Sequence, residues 1–242
     1  MSKLSGVLFD FDGVLSSVMD RLGRPFFQVY KKIRPTATKE DILFSLRDIV
    51  ELLMRTEKGG RFYIPKMIIK ISQLLQFNFL ESFQFFVLMM LQMRQTQHVV
   101  FPIPGGNSVL GFATKRFKTA LVTSAKRKVI KNAFRVIPNL KQVDIVITKE
   151  HVNYIKPNPE GILIALKKLG LQPEECVFVG DLPVDIIAGK RAGVTTIAVV
   201  NFQWAAQGKH QMLAANSPEY IINTITELPS LLEKIENIHR KL

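Results

Sequence analysis

Disulfides are excluded at the outset. Cys176 is the one cysteine in the chain, so no internal bridge can form, and the chain fits a reducing compartment. Acid is scarce: 20 Asp and Glu stand against 33 Lys and Arg, a formal net charge of +13. Uninterrupted apolar runs are missing too. The most apolar stretch, Ile71 to Met93, is broken by Glu81 and bounded by Lys70 and Arg94, whereas a spanning helix needs about 20 consecutive apolar residues. That stretch reads as buried helices, and its Phe and Met cluster from Phe77 to Met93 as helical core rather than a partner surface. No membrane partner is expected. The opening MSKLSGVLFDFDG has an apolar run too short and too soon acidic for a signal peptide, so a cytoplasmic location is expected. The basic residues are spread along the chain, without zinc-finger spacing or an aromatic-basic RNA signature. The expected partner is therefore not a nucleic acid, and the positive surface suits the steering of small anions. The four histidines show no metal-ligand spacing, and no internal repeat or low-complexity tract is present.

What is there alternates. A length of 242 residues suits one large domain or a domain with an insertion. Gly6 to Phe11 reads as a short buried strand. From Ser16 to about Val100 the pattern is helical: DILFSLRDIVELLM places Ile42, Leu46, Ile49, Val50 and Leu53 on one face. Gly59-Gly60 and Pro65 break the helices, and two apolar helices are expected between Lys66 and Gln95. FPIPGG, from Phe101 to Gly106, marks a boundary. Beyond it the apolar runs Thr119–Ser124, Val143–Thr148, Cys176–Asp181 and Thr195–Val200 alternate with helix-like segments at Lys126–Val136, Pro159–Leu169 and Pro183–Ala192. Such alternation implies βαβ units and a parallel sheet covered on both faces. The expectation is an α/β protein: a Rossmann-like parallel-sheet core from residues 1–16 and 101–242, with an inserted α-helical domain at 17–100.

In such a sheet, ligands gather beyond the carboxyl ends of the strands. Polar residues that close the apolar runs are therefore candidates for one site: Asp10 and Asp12, Thr123 and Ser124, Lys156, Asp181 and Asp185. In an extended segment Asp10 and Asp12 point to the same side. If Pro183 opens a helix, Asp185 falls in its first turn, where carboxylates are favoured. Four acids brought together repel, and a divalent cation relieves that; oxygen-only ligands favour Mg²⁺. A lysine and a hydroxyl beside them can hold phosphate oxygens, and a carboxylate next to a phosphate can attack phosphorus.

DFDGVL, the threonine of ALVTS, KPNPEG and GDLPVDI resemble the four motifs of the haloacid dehalogenase superfamily, and within it the phosphoglycolate phosphatase and β-phosphoglucomutase group. The resemblance covers most of the chain outside residues 16–100 and extends to AGKRAGVTTIAV. It implies a phosphatase that hydrolyses a small phosphomonoester. Asp10 would be the nucleophile that forms an aspartyl-phosphate, and Asp12 the general acid and base. Thr123 would bind the phosphoryl group, helped by the Ser124 backbone. Lys156 would neutralise charge between Asp10 and phosphate. Mg²⁺ would sit on the Asp10 side chain, the Asp12 carbonyl and Asp181, with Asp185 behind them or acting through water. Dehalogenases of the superfamily lack an acid at the position of Asp12, so its presence argues for phosphoryl transfer. The resemblance also makes the inserted helices a C1-type cap. Leu182 departs from the pattern, standing where many relatives carry Ser or Thr.

Two alternatives remain open at this point: a phosphomutase of the β-phosphoglucomutase type, and a non-catalytic binding or scaffold protein using the basic surface. The substrate is a small phosphorylated metabolite, with phosphoglycolate, sugar phosphates, nucleoside monophosphates and pyrophosphate all compatible; monomer and homodimer are equally so. Lys58 and Arg61, beside the glycine pair, are candidates for contact with the substrate's tail.

Overall fold

The structure is a computed structural model that describes residues 3–38, 63–96, 98–201 and 206–241. The chain divides into two compact units. One joins Met1–Ser17 to Val100–Leu242, and the other is Val18–Val99.

The second unit is helical, with α1 (Arg24–Ile33), α2 (Tyr63–Leu74) and α3 (Phe79–Thr96). The amphipathic segment expected at Ile42–Leu53 lies outside the described residues. Pro25 lies in the first turn of α1 and is buried. Phe26, Tyr30, Ile68, Phe85 and Met89 form the core of this unit. The Phe26 and Phe85 rings meet edge to face at 5.8 Å, a geometry favoured by the ring quadrupole.

Glu81, the acid that breaks the apolar run, has a structural task here. Its carboxylate accepts the Asn78 N–H at 2.9 Å, while its own N–H donates to Asn78 Oδ1 at 2.9 Å. This reciprocal pair closes the N-terminus of α3. The same carboxylate takes a two-pronged contact from Arg34, at 3.0 Å on each oxygen. The expectation that the Phe and Met cluster is core holds for only part of it. Phe85 and Met89 are buried, but Phe79 is 90% exposed, Leu80 64% and Phe83 60%, because the stripe runs around the helix rather than along one face. Among the described residues, no helix is long and apolar enough to cross a membrane.

The first unit is built on one parallel sheet. Its strands are β1 (Gly6–Phe9), β2 (Lys118–Val122), β3 (Ile145–Ile147), β4 (Cys176–Gly180), β5 (Thr195–Val199) and β6 (Tyr220–Ile222), in the order β3-β2-β1-β4-β5-β6. Residues Gly6 to Phe9 pair with Lys118 to Leu121 on one side and with Cys176 to Val179 on the other. Successive side chains enter opposite layers. Val7 and Phe9 join Leu121, Val179 and Ile197 beneath α4 (Gly106–Arg116), α5 (Arg127–Val136) and α9 (Leu228–Lys241). Leu8 joins Ala120, Val122 and Phe178 beneath α6 (Glu160–Leu169) and α7 (Pro183–Ala192). Burial on both sides explains the unbroken apolar character of the central strands. A further helix, α8 (Ala206–Ala214), follows β5. The edge strand β6 and helices α4, α8 and α9 add to the elements expected from sequence.

Candidate active site

The strand order places β1 between β2 and β4, so the residues that leave these three strands meet. Asp10 leaves β1, and its N–H donates to Val179 O at 2.8 Å. Its side chain is buried. The chain then turns back: Gly13 N donates to Ser16 O at 2.7 Å. Gly13 holds φ 82° there, a left-handed conformation natural to glycine. A Cβ on Gly13 would collide with the Asp181 carboxylate, so the turn that carries Asp12 lies directly against the residue that leaves β4.

Lys156 connects the strand ends. Its Nζ lies 2.6 Å from Asp10 Oδ1 and 2.7 Å from Asp185 Oδ1, and it donates to the Val122 carbonyl of β2 at 3.3 Å. It also sits 5.4 Å from the centre of the Phe178 ring, which favours a cation. Asp185 organises the loop before α7. Its Oδ2 accepts the N–H groups of Asp181 and Leu182, at 3.1 and 3.0 Å. Leu182 thus contributes its backbone, which the missing hydroxyl does not affect. Thr123 is buried, its N–H donates to Ile147 O at 2.9 Å, and its hydroxyl accepts the Ala125 N–H at 2.9 Å. Ser124 beside it is exposed.

Electrostatics define what this site lacks. One carboxylate oxygen each from Asp10, Asp181 and Asp185 lies within 4.8 Å of the others, and all three residues are buried. Burial pushes the Asp10 carboxyl well above the usual carboxylate range; Lys156 opposes this, and the charges of Asp185, Asp181 and Asp12 add to it. Asp181 is raised in the same way, chiefly by burial. Burial alone would favour a neutral Lys156, yet Asp10 and Asp185 hold its pKa above the ordinary lysine value.

A second cation was not singled out by the sequence. Lys209 of α8 is buried, and its Nζ lies 2.8 Å from Asp181 Oδ2. The other oxygen of that carboxylate, Oδ1, is buried without a hydrogen-bond partner among the described residues. Three buried carboxylates, those of Asp10, Asp181 and Asp185, thus share two ammonium groups, those of Lys156 and Lys209. An all-oxygen donor set, an orphaned buried oxygen and an excess of carboxylates over ammonium groups fit a hard divalent cation such as Mg²⁺. Nor did the sequence flag Asn201, just beyond β5. Its amide donates to Gly13 O at 2.8 Å, and its carbonyl accepts the Ile225 N–H at 2.9 Å, pinning the turn behind Asp12. A lone lysine or asparagine carries no spacing signal, so only the fold brings these two to the site. Asp10, Asp181, Asp185 and Lys156 are in direct contact or close array, with Asp12 and Thr123 on the adjoining strand ends. Lys58 and Arg61 lie outside the described residues.

Comparison with known proteins decides the family. The haloacid dehalogenase-like hydrolase family model matches residues 7–199. The chain belongs to the haloacid dehalogenase-like hydrolases. Pyrophosphatase PpaX of Bacillus mycoides is 32% identical over 119 residues, which cover 49% of this chain and 54% of that protein. PpaX of Bacillus cereus strain AH820 is 32% identical over 116 residues, 48% of this chain and 52% of the relative. The matched stretch therefore spans about half the length of these relatives. Among solved structures, a predicted phosphoglycolate phosphatase from Haemophilus somnus superimposes with a TM-score of 0.67 at 16% identity, covering 96% of this chain and 99% of that one. A candidate β-phosphoglucomutase from Thermotoga maritima gives 0.66 at 21%, with the same coverage. At these identities the likeness shows the hydrolase fold alone.

Proposed function

We propose that this hydrolase is a Mg²⁺-dependent phosphatase that cleaves a small soluble phosphomonoester through an aspartyl-phosphate on Asp10. The observation that carries the reading is the contact of Asp10 with Lys156, itself paired to Asp185, inside a buried cluster of three carboxylates. A structural carboxylate has no need of such surroundings, whereas a nucleophile facing a phosphate dianion does.

In this mechanism Lys156 and Thr123, with the Ser124 backbone, hold the phosphoryl oxygens beside Asp10. Lys156 draws charge from both the carboxylate and the phosphate and so reduces their repulsion. An Asp10 oxygen attacks phosphorus, the bond to the leaving oxygen breaks, and Asp12 gives that oxygen a proton. Asp12, now a carboxylate, takes a proton from water. The water attacks the phosphorus, the bond from Asp10 to phosphorus breaks, and inorganic phosphate leaves. Asp185 fixes Lys156 and the loop of Asp181, and Asn201 steadies the turn that follows Asp12. Asp10, Asp181 and the Asp12 carbonyl would hold Mg²⁺, which when bound supplies charge neutralisation for the attack.

Hydrolysis of p-nitrophenyl phosphate tests the reading. Turnover in Mg²⁺ is expected, with loss in EDTA and recovery when Mg²⁺ is restored in excess. Full turnover in metal-free buffer contradicts the cation's role, and no turnover of this substrate or of a panel of phosphorylated metabolites contradicts the activity.

A further inference from the structure

We infer that Lys209 is a built-in counter-cation of the acidic cluster, which competes with the divalent ion for Asp181 and sets the cation concentration at which the site fills. The inference rests on the reading of that cluster as a cation site.

Three features carry it. Lys209 belongs to α8, a helix that lies beyond the carboxyl end of β5 and outside all four motifs. Its ammonium group is buried against Asp181 Oδ2 at 2.8 Å, a contact that is costly to form unless the partner's charge compensates for lost solvation. Within the same carboxylate, Oδ1 has no hydrogen-bond partner among the described residues. Asp181 is therefore half satisfied by a tethered cation and half left for another. Asp10 and Asp185 are anchored to Lys156, which the phosphate chemistry requires in place. A divalent ion that draws on Asp181 must share it with the ammonium group or displace it, and either event raises the free energy of binding.

The ionic contact also ties α8 to the end of β4 when no divalent ion is bound. Lys209 thus stabilises the metal-free protein and weakens its hold on the ion, two effects of one interaction.

Isothermal titration of the full-length chain with Mg²⁺ alone tests this. Lys209→Met should bind Mg²⁺ at least about tenfold more tightly than wild type, since a positive charge is removed from beside a ligand. Lys209→Arg, which keeps the charge, should bind within about threefold of wild type. Lys209→Gln serves if the methionine variant does not fold, and the same tightening is expected. Metal-free Lys209→Met should also melt at a lower temperature and gain more from Mg²⁺ than wild type does. Equal or weaker Mg²⁺ binding by a folded neutral variant overturns the inference and leaves the cation site standing. Absence of Mg²⁺ binding by wild type and variants alike overturns both.

Discussion

At the scale of single residues, the site assigns different work to chemically identical groups. Asp10 touches Lys156, Asp181 touches Lys209, and Asp185 gives one oxygen to Lys156 and the other to two backbone N–H groups. Asp12 stands outside the cluster of three carboxylates, in a turn tethered through Gly13 by Asn201. That placement suits a group whose task is to carry a proton. Asp12→Asn keeps the shape and removes the titratable group. It should lower kcat by about 10²–10⁴-fold, the range of general acid–base catalysis. The loss should be smaller for p-nitrophenyl phosphate, whose leaving group needs little protonation, than for an alkyl phosphate. Steady-state rates on both substrates check this, and an equal loss on both removes Asp12 from the protonation of the leaving group.

Asp10 and Asp181 were legible because each closes an apolar run, where an acid stands out, and Asp185 because it falls in the first turn of a helix opened by Pro183. Lys209 was not, since QGKHQML has nothing to mark one lysine among the many. Asn201 was hidden for the same reason, although its φ of 53° suits a residue type that tolerates left-handed backbone.

At the scale of elements, burial decided what could be read. Strands β1, β2, β4 and β5 are covered on both faces and announce themselves as apolar runs. β6 has three residues at the sheet's edge, too few for a pattern to emerge from its surroundings. The strand order is invisible to periodicity, because no local signal says that β1 lies between β2 and β4. The inserted unit offers the opposite lesson. Glu81 reads as an interruption of an apolar stretch, and its cause is a cap together with an ion pair to Arg34. Glu81→Gln should destabilise this unit by about 1 kcal/mol, the scale of a cap combined with a partly exposed pair. The Arg34 hydrogen bond, then that from the Asn78 backbone, holds the Glu81 carboxyl below its usual pKa. A lowered folded-state value means that the contribution is present above the ordinary carboxyl pKa of about 4.3 and is lost as the pH falls through the lowered value. Urea denaturation at several pH values should therefore show a gap between wild type and variant that is full above about pH 5.5 and closes on acidification. A gap that widens in acid would contradict the assignment.

At the scale of the whole molecule, the sheet gathers chemistry from segments far apart in sequence. Asp10 and Lys209 are separated by most of the chain, yet both enter one cluster at the carboxyl end of a single sheet. The helical unit interrupts the sequence between the residues that leave β1 and those that leave β2, and the sheet closes over the interruption without loss of register. In a chain with a formal net charge of +13, that end of the sheet gathers the three acids Asp10, Asp181 and Asp185.

The proposed attack of an Asp10 oxygen on phosphorus leaves a covalent trace. A single turnover, quenched in acid and digested, locates the phosphoryl group by peptide mass spectrometry. The expected result is an adduct on the peptide that carries Asp10, its absence in Asp10→Asn, and no measurable steady-state turnover by that folded variant. An adduct on another residue, or turnover by Asp10→Asn near the wild-type rate, would contradict it.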